Sequence, residues 1–164
     1  MASSTNMPHP DHTATWPATA AAHEWAAYLC VAPLLVTLAV LGLAAEVPVR
    51  ELAQRVSVAW GASLLAFTGA VHWGLIFAGR MPAHPRRIAA ALVPALCAAL
   101  AVVIGGQKAL ALLVVGFGLF WLYEHRALGT ELPPGYLNLR RPLVIATCLL
   151  LAVTMLVSES AGLS

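Results

Sequence analysis

The chain has 164 residues, of which 60% are hydrophobic and only 10% are charged, and its formal net charge is +2. A soluble domain is nearer half apolar and a quarter charged, so this composition excludes a soluble enzyme domain, a nucleic-acid-binding module and a disordered chain. It predicts an all-α, polytopic integral membrane protein whose surroundings are the lipid bilayer and whose partners do not include nucleic acid.

The N-terminal residues 1–25 are rich in Ala, Thr, Pro and His and contain no Lys or Arg. A signal peptide has a basic start and a transit peptide is Arg-rich, so we expect residues 1–25 to be a disordered tail and residues 26–164 to be a single membrane domain. His9, His12 and His23 lie in this tail at spacings typical of adventitious binding, and we predict no metal site.

Five apolar stretches without Asp, Glu, Lys or Arg follow the tail. They predict a bundle of five transmembrane helices near residues 26–45, 56–79, 88–104, 109–123 and 143–158. Pro33 and Pro94 lie inside the first and third stretches and are expected to bend those helices. Pro142 suits the first position of the fifth helix, where its missing N–H costs nothing. Gly105 and Gly106 predict the turn between the third and fourth helices.

Loop Lys and Arg residues predict the orientation, because they are enriched on the cytoplasmic side. With five spans, six basic residues share the side of the N-terminus and three lie on the other side. The six are Arg80, Arg86, Arg87, Arg126, Arg140 and Arg141, and the three are Arg50, Arg55 and Lys108. The prediction is therefore an N-terminus on the cytoplasmic side and a C-terminus on the opposite side of the membrane.

The second stretch contains a row of small residues at four-residue spacing. Its members are Ala62, Ala66, Ala70 and Gly74. Small residues at this spacing let two membrane helices approach closely, so the row predicts a helix-packing face.

His72 is, thiols and phenols aside, the only ionisable side chain well inside a predicted span. An ionisable residue at such depth is a functional candidate. The same residue also suits a structural role, as a neutral histidine that hydrogen-bonds a neighbouring helix, with Thr68 one turn earlier as a partner. Both interpretations stay open at the level of sequence.

Topology brings further polar and aromatic residues to the membrane face near His72. The candidate functional cluster consists of His72, Trp73, Glu124, His125, Tyr136 and Arg140. Its histidine, carboxylate and arginine suit a proton relay, or a site for an anionic headgroup or a polar quinone ring. Interfacial anchoring explains the same residues, with Glu124 paired to Arg126 or Arg140 only to fix the loop. We predict no cofactor, because a haem would need both His72 and His125, and His125 is expected outside the hydrocarbon.

Three blocks of the sequence resemble the family called domain of unknown function 3429, which includes the mitochondrial transmembrane protein 69. The run from Phe67 to Gly74 is similar to its phenylalanine, glycine-pair, histidine-tryptophan-glycine signature. The run from Leu132 to Arg140 is similar to its leucine-proline, tryptophan-tyrosine, leucine-arginine segment. The ending of the fourth span, from Trp121 to Arg126, is the third block, with glutamate where aspartate is usual.

The sequence departs from the family pattern at two positions. Ala70 replaces a glycine, which is nearly neutral for packing, and Gly135 replaces a tryptophan, which removes an interface anchor. The resemblance implies a bacterial or mitochondrial-type inner-membrane protein with about five helices, and it directs functional interest to His72, Trp73, Tyr136 and Arg140. With it, the expected location is the bacterial inner membrane, with the N-terminus cytoplasmic and the C-terminus periplasmic. It implies no activity.

Nucleophile, phosphate-loop and dinucleotide motifs are absent from the sequence, and we expect a protein that is not an enzyme. Five short helices leave little room for a substrate cavity. We therefore favour an accessory, assembly or interaction subunit of a larger membrane complex, with other membrane subunits as partners. The alternatives are a proton-coupled carrier or a quinone- or lipid-binding protein that uses His72, Glu124 and Arg140, and, more remotely, a lipid-modifying enzyme.

Overall fold

The computed structural model describes residues 25–127 and 134–162. Its helices are α1 (Ala32–Leu43), α2 (Val47–Phe77), α3 (Pro85–Ile104), α4 (Gly106–Ala127) and α5 (Pro134–Ser160). Five segments are long and apolar enough to cross a membrane, and the first of them, Trp25–Leu43, also includes a short helical run before α1. The all-α, five-helix prediction is confirmed. The predicted disordered tail lies outside the described residues except for Trp25.

The long helix α2 is the centre of the bundle. It packs against all four other helices, while α1 packs on α5, α5 on α4, and α4 on α3. One apolar core receives residues from all five helices. Four fully buried leucines of this core, from α2, α4 and α5, are called the leucine layer: Leu65, Leu110, Leu113 and Leu151.

Two helices begin nine residues before their predicted starts, whereas α3 and α4 begin only three residues before theirs. The structure starts α2 at Val47 and α5 at Pro134, whereas the apolar stretches begin at residues 56 and 143. Charged residues occupy both added segments, and charge ends a hydrocarbon span without ending a helix, since Arg and Glu are good helix formers. Pro142 consequently lies inside α5, so its predicted place at the first helical position is wrong.

The first span breaks near Pro33 where the sequence analysis predicted a bend. A turn at Cys30 and Val31 separates the short helical run from α1, which has Pro33 in its first turn. The N–H of Leu34 donates to the carbonyl of Val31 and not to the carbonyl of Cys30, as it would in a regular α-helix. The indole N–H of Trp60 donates to the Cys30 carbonyl at 2.8 Å. The break is therefore tied to α2.

Polar contacts also fix the ends of the helices. The Arg50 guanidinium donates to the carbonyl of Ala44 at 2.6 Å, which caps the C-terminal end of α1. Gly105 and Gly106 have φ angles of 65° and 59° between α3 and α4. These left-handed conformations favour glycine, so the turn lies where the glycine pair predicted it.

The predicted packing row of α2 faces the bundle over only part of its length. Ala62 is buried and Ala66 half-buried, whereas Ala70 and Gly74 are exposed. Each four-residue step advances about 40° around a helix of 3.6 residues per turn, so the row turns outward toward the C-terminal end of α2. Packing at Ala70 and Gly74 stays a prediction for helices outside this chain.

Helix α2 approaches the backbone of α3 closely at Gly69. A Cβ atom at this position would lie 2.3 Å from the backbone oxygen of Ala91 in α3. The backbone oxygen cannot move aside as the end of a flexible side chain can. Gly69, rather than the four-residue row, therefore sets the distance between α2 and α3.

We expect Gly69→Ala to lower the free energy of unfolding in detergent by roughly 1–3 kcal/mol, because the methyl group collides with α3. Gly74→Ala is the matched control on the same helix, since nothing lies within 4 Å of the Cβ it would add. The control should be neutral or slightly stabilising through helix propensity. Equal effects of the two substitutions would contradict this account of the α2–α3 contact.

Candidate functional site

A carboxylate is buried near one end of the bundle. Glu124 belongs to the last turn of α4, and only 1% of the residue is exposed. Transfer of an ionised carboxylate out of water costs several kcal/mol unless other charges and hydrogen-bond donors surround it. The structure supplies these from two other helices.

Arg140 of α5 provides the compensating charge. Its Nε donates a hydrogen bond to Oε2 of Glu124. The sequence analysis counted Arg140 as a loop residue, but the structure places it in α5, with most of its side chain buried. Of the two partners proposed for Glu124 from the sequence, Arg126 and Arg140, the structure shows this contact for Arg140.

His72 of α2 approaches the same carboxylate from the other side. Its Nε2 lies 3.5 Å from Oε1 of Glu124, and its Nδ1 lies 3.0 Å from the backbone oxygen of Thr68. The partner at Thr68 is thus the carbonyl group and not the hydroxyl, which donates to the carbonyl of Leu65. The cluster of His72, Glu124 and Arg140, which we call the triad, joins α2, α4 and α5.

The other members of the predicted cluster do not share these contacts. Trp73 packs on Phe77, with ring centroids 5.7 Å apart. His125 is exposed and stacks on Trp121, with centroids 5.5 Å apart. Tyr136 belongs to α5, and its side chain lies outside the described residues.

The sequence analysis missed one residue that shapes the triad. Phe120 is buried, and its ring meets the His72 ring edge to face, at 5.1 Å and 78°. It precedes Glu124 by one helical turn and so lies on the same face of α4. The four-residue spacing could have identified Phe120 from the sequence, because a residue one turn from a buried carboxylate also faces the bundle.

A second polar cluster lies at the opposite end of the bundle. Ser57 of α2 hydrogen-bonds the hydroxyl of Thr37 in α1 at 2.7 Å. Gln54 of α2 and Ser158 of α5 are also buried, and the Gln54 amide nitrogen and the Ser158 hydroxyl have no hydrogen-bond partner in the described part of the chain. The leucine layer lies between this cluster and the triad.

An apolar groove of about 220 Å³ reaches the triad from outside the bundle. It lies between the start of the first span, α2 and α5, and its lining includes Thr68 and Arg140. Its other lining residues are largely apolar, among them Phe67 and Leu143. The described residues contain no group of three or more His, Cys, Asp or Glu side chains placed to hold a metal ion.

These features define an α-helical, five-span membrane protein with a buried ion pair and a histidine at one end of its bundle. A family model described as "Protein of unknown function (DUF3429)" matches residues 16–156. The chain belongs to this family. The searches of curated proteins and of solved structures found no match.

The structure accounts for the first motif that carries this family resemblance. Its glycine Gly69 is required by the contact with Ala91, and its histidine His72 contacts the buried carboxylate. Ala70, which departs from the family pattern, is exposed, so an added methyl group there meets no neighbour within the described chain. The motif thus contains the glycine of the close α2–α3 contact and the histidine of the triad.

We expect Arg140→Ala to destabilise the bundle by up to about 3–5 kcal/mol, because it leaves the Glu124 carboxylate buried without its cation. Arg141→Ala is the matched control, since Arg141 is exposed and adjacent in α5. Thermal unfolding of both variants in the same detergent measures the difference. A loss of the same size in Arg141→Ala would show that the effect is not specific to the triad.

Proposed function

We infer that this chain is a non-catalytic, multi-pass protein of the bacterial inner membrane that acts as an accessory or assembly subunit of a larger membrane complex. The observation that carries this proposal is the outward face of α2, where small residues are exposed in two pairs at four-residue spacing. The pairs are Ala59 with Ser63 and Ala70 with Gly74. Lipid chains gain nothing from small residues, whereas a neighbouring helix packs closely against them.

The contacts within the triad support the same role. His72 and Arg140 both contact Glu124, so the three side chains connect three helices and stabilise a scaffold on which the outer faces are held in place. An accessory subunit needs such a rigid scaffold and no reaction cavity of its own. The small soluble mass of the chain favours contacts made within the membrane.

Substitution of the outward small residues tests this role. We expect Ala70→Ile and Gly74→Ile to abolish recovery of the chain in a larger assembly after gentle detergent extraction, while the stability of the isolated protein is unchanged. Ala99→Ile, at an exposed alanine of α3, is the matched control and should leave the assembly intact. A wild-type chain that is recovered only as a monomer contradicts the proposal.

The proposed orientation has its own test. An N-terminus in the cytoplasm and a C-terminus in the periplasm require a reporter fused after Ser164 to be active only in the periplasm, as expected for alkaline phosphatase. A cytoplasmic reporter activity at that position would reverse the topology. It would leave the accessory role untouched.

The groove at Arg140 favours a second candidate function, the binding of a lipid or quinone. A chain of methylene or isoprenoid units suits its apolar walls, and its polar end would lie beside the guanidinium group. The proton-coupled carrier has less support, because the leucine layer separates the polar groups at the two ends. Mass spectrometry of an organic extract tests the second candidate: stoichiometric lipid or quinone supports it, and an extract without either contradicts it.

A further inference from the structure

Both ring nitrogens of His72 face hydrogen-bond acceptors. Nδ1 lies 3.0 Å from the backbone oxygen of Thr68, and a carbonyl oxygen only accepts, so Nδ1 carries a hydrogen. A neutral imidazole has a single N–H, and its other nitrogen bears a lone pair. In neutral His72 that lone pair is on Nε2, on the side of Glu124.

The Nε2 lone pair and the carboxylate form an unfavourable contact unless a proton lies between them. Nε2 is buried 3.5 Å from Oε1 of Glu124, and it has no hydrogen-bond partner in the part of the chain that the structure describes. An ionised carboxylate is an acceptor, so two acceptors oppose each other in a region of low dielectric constant. A proton on Nε2 converts the contact into a charge-assisted hydrogen bond.

We propose that His72 Nε2 and Glu124 Oε1 form a proton-binding site, which takes up one proton from the membrane face where α2 ends and returns it to that face. The proton comes from water and joins the Nε2 lone pair, so imidazole becomes imidazolium and the net charge of the triad rises by one. Arg140 keeps the carboxylate ionised through Oε2, which places the proton on the histidine.

Access from one end follows from the depth of the two groups. His72 is five residues from the end of α2 and Glu124 is three residues from the end of α4. At 1.5 Å per residue these depths are about 8 Å and about 5 Å. On the other side, the buried hydroxyls of α5 at Thr147 and Thr154 are about 10 Å apart along the helix. The Thr154 hydroxyl donates to the carbonyl of Leu150, so the two form no continuous path for a proton toward the opposite end of the bundle.

The charged and titratable groups at this end of the bundle affect the imidazolium form in opposite directions. At this end of the bundle, α4 contributes Tyr123 and Glu124, α5 contributes Arg140, α3 contributes Arg87, and the start of the first span contributes Tyr28. Glu124 is the anion among them, and it is adjacent to the ring. The two arginines favour an ionised Glu124, and they also limit how readily a further positive charge is held.

Nitrogen NMR of the protein labelled with ¹⁵N-histidine, in nanodiscs across a pH series, tests the proposal. We expect His72 to keep its Nδ1 hydrogen throughout, while Nε2 gains a proton as the pH falls. At equal pH, the ratio of doubly to singly protonated His72 should be severalfold higher in the wild type than in Glu124→Gln, because the neutral amide offers the imidazolium no negative charge. His125→Gln is the control, since His125 is exposed and contacts Trp121.

The wild-type titration decides the matter even where Glu124→Gln fails to fold. A His72 that stays singly protonated over the whole range in which the protein is folded overturns the proposal, and so does titration at Nδ1 instead of Nε2. An unchanged protonation ratio in a folded Glu124→Gln variant also overturns it. These outcomes do not bear on the accessory role, which depends on Ala70 and Gly74.

Proton flux tests the one-sided character of the site. Phosphatidylcholine vesicles that contain the protein and an internal pH-sensitive dye should dissipate an imposed pH gradient at the rate of protein-free vesicles, because the buried hydroxyls of Thr147 and Thr154 form no continuous relay. Faster dissipation that His72→Gln abolishes would overturn one-sided binding. It would instead show conduction through the bundle.

Discussion

The carboxylate of Glu124 must be neutralised inside the bundle, because only 1% of the residue is exposed. That requirement fixes the ends of three helices, since Arg140 and His72 come from α5 and α2 and meet α4 at one group. The contact of Gly69 with Ala91 lies one turn before His72, so α3 packs against the end of the bundle that contains the triad. Helix packing at this end is therefore organised around a single carboxylate.

Hydropathy predicted the five spans because the absence of charge over a bilayer thickness is a property of composition. It did not predict where α2 and α5 begin, because helix formation depends on backbone hydrogen bonds and propensity, which continue past the first charged residue. The 31 residues of α2 extend about 46 Å, well beyond a hydrocarbon core of about 30 Å. The prediction that Pro142 begins the fifth helix was wrong for a related reason. A membrane helix accommodates an internal proline where neighbouring groups satisfy the freed carbonyl.

Topology predicted which end of the bundle contains the triad, but it could not select the members. Consecutive residues on a helix point about 100° apart, so Glu124 faces the core while His125, its neighbour, faces outward. The same rotation separates Trp73 from His72. The sequence places residues at a depth in the membrane, and only the rotation of each helix, which packing contacts such as Gly69 determine, decides which of them meet.

A buried ion pair is not explained by stability alone, because well-packed apolar residues of similar volume often stabilise a core as much or more. Apolar side chains at the ends of α2, α4 and α5 would avoid the free energy needed to desolvate charged groups. What the polar groups add is a defined register of three helices and a carboxylate oxygen, Oε1, that lies 3.5 Å from Nε2 of His72. Since Nε2 of His72 faces that oxygen, the occupancy of one proton changes how strongly α2 is joined to α4. The triad is thus a contact whose strength depends on the medium at one membrane face, which neither a leucine nor an arginine–glutamate pair would provide.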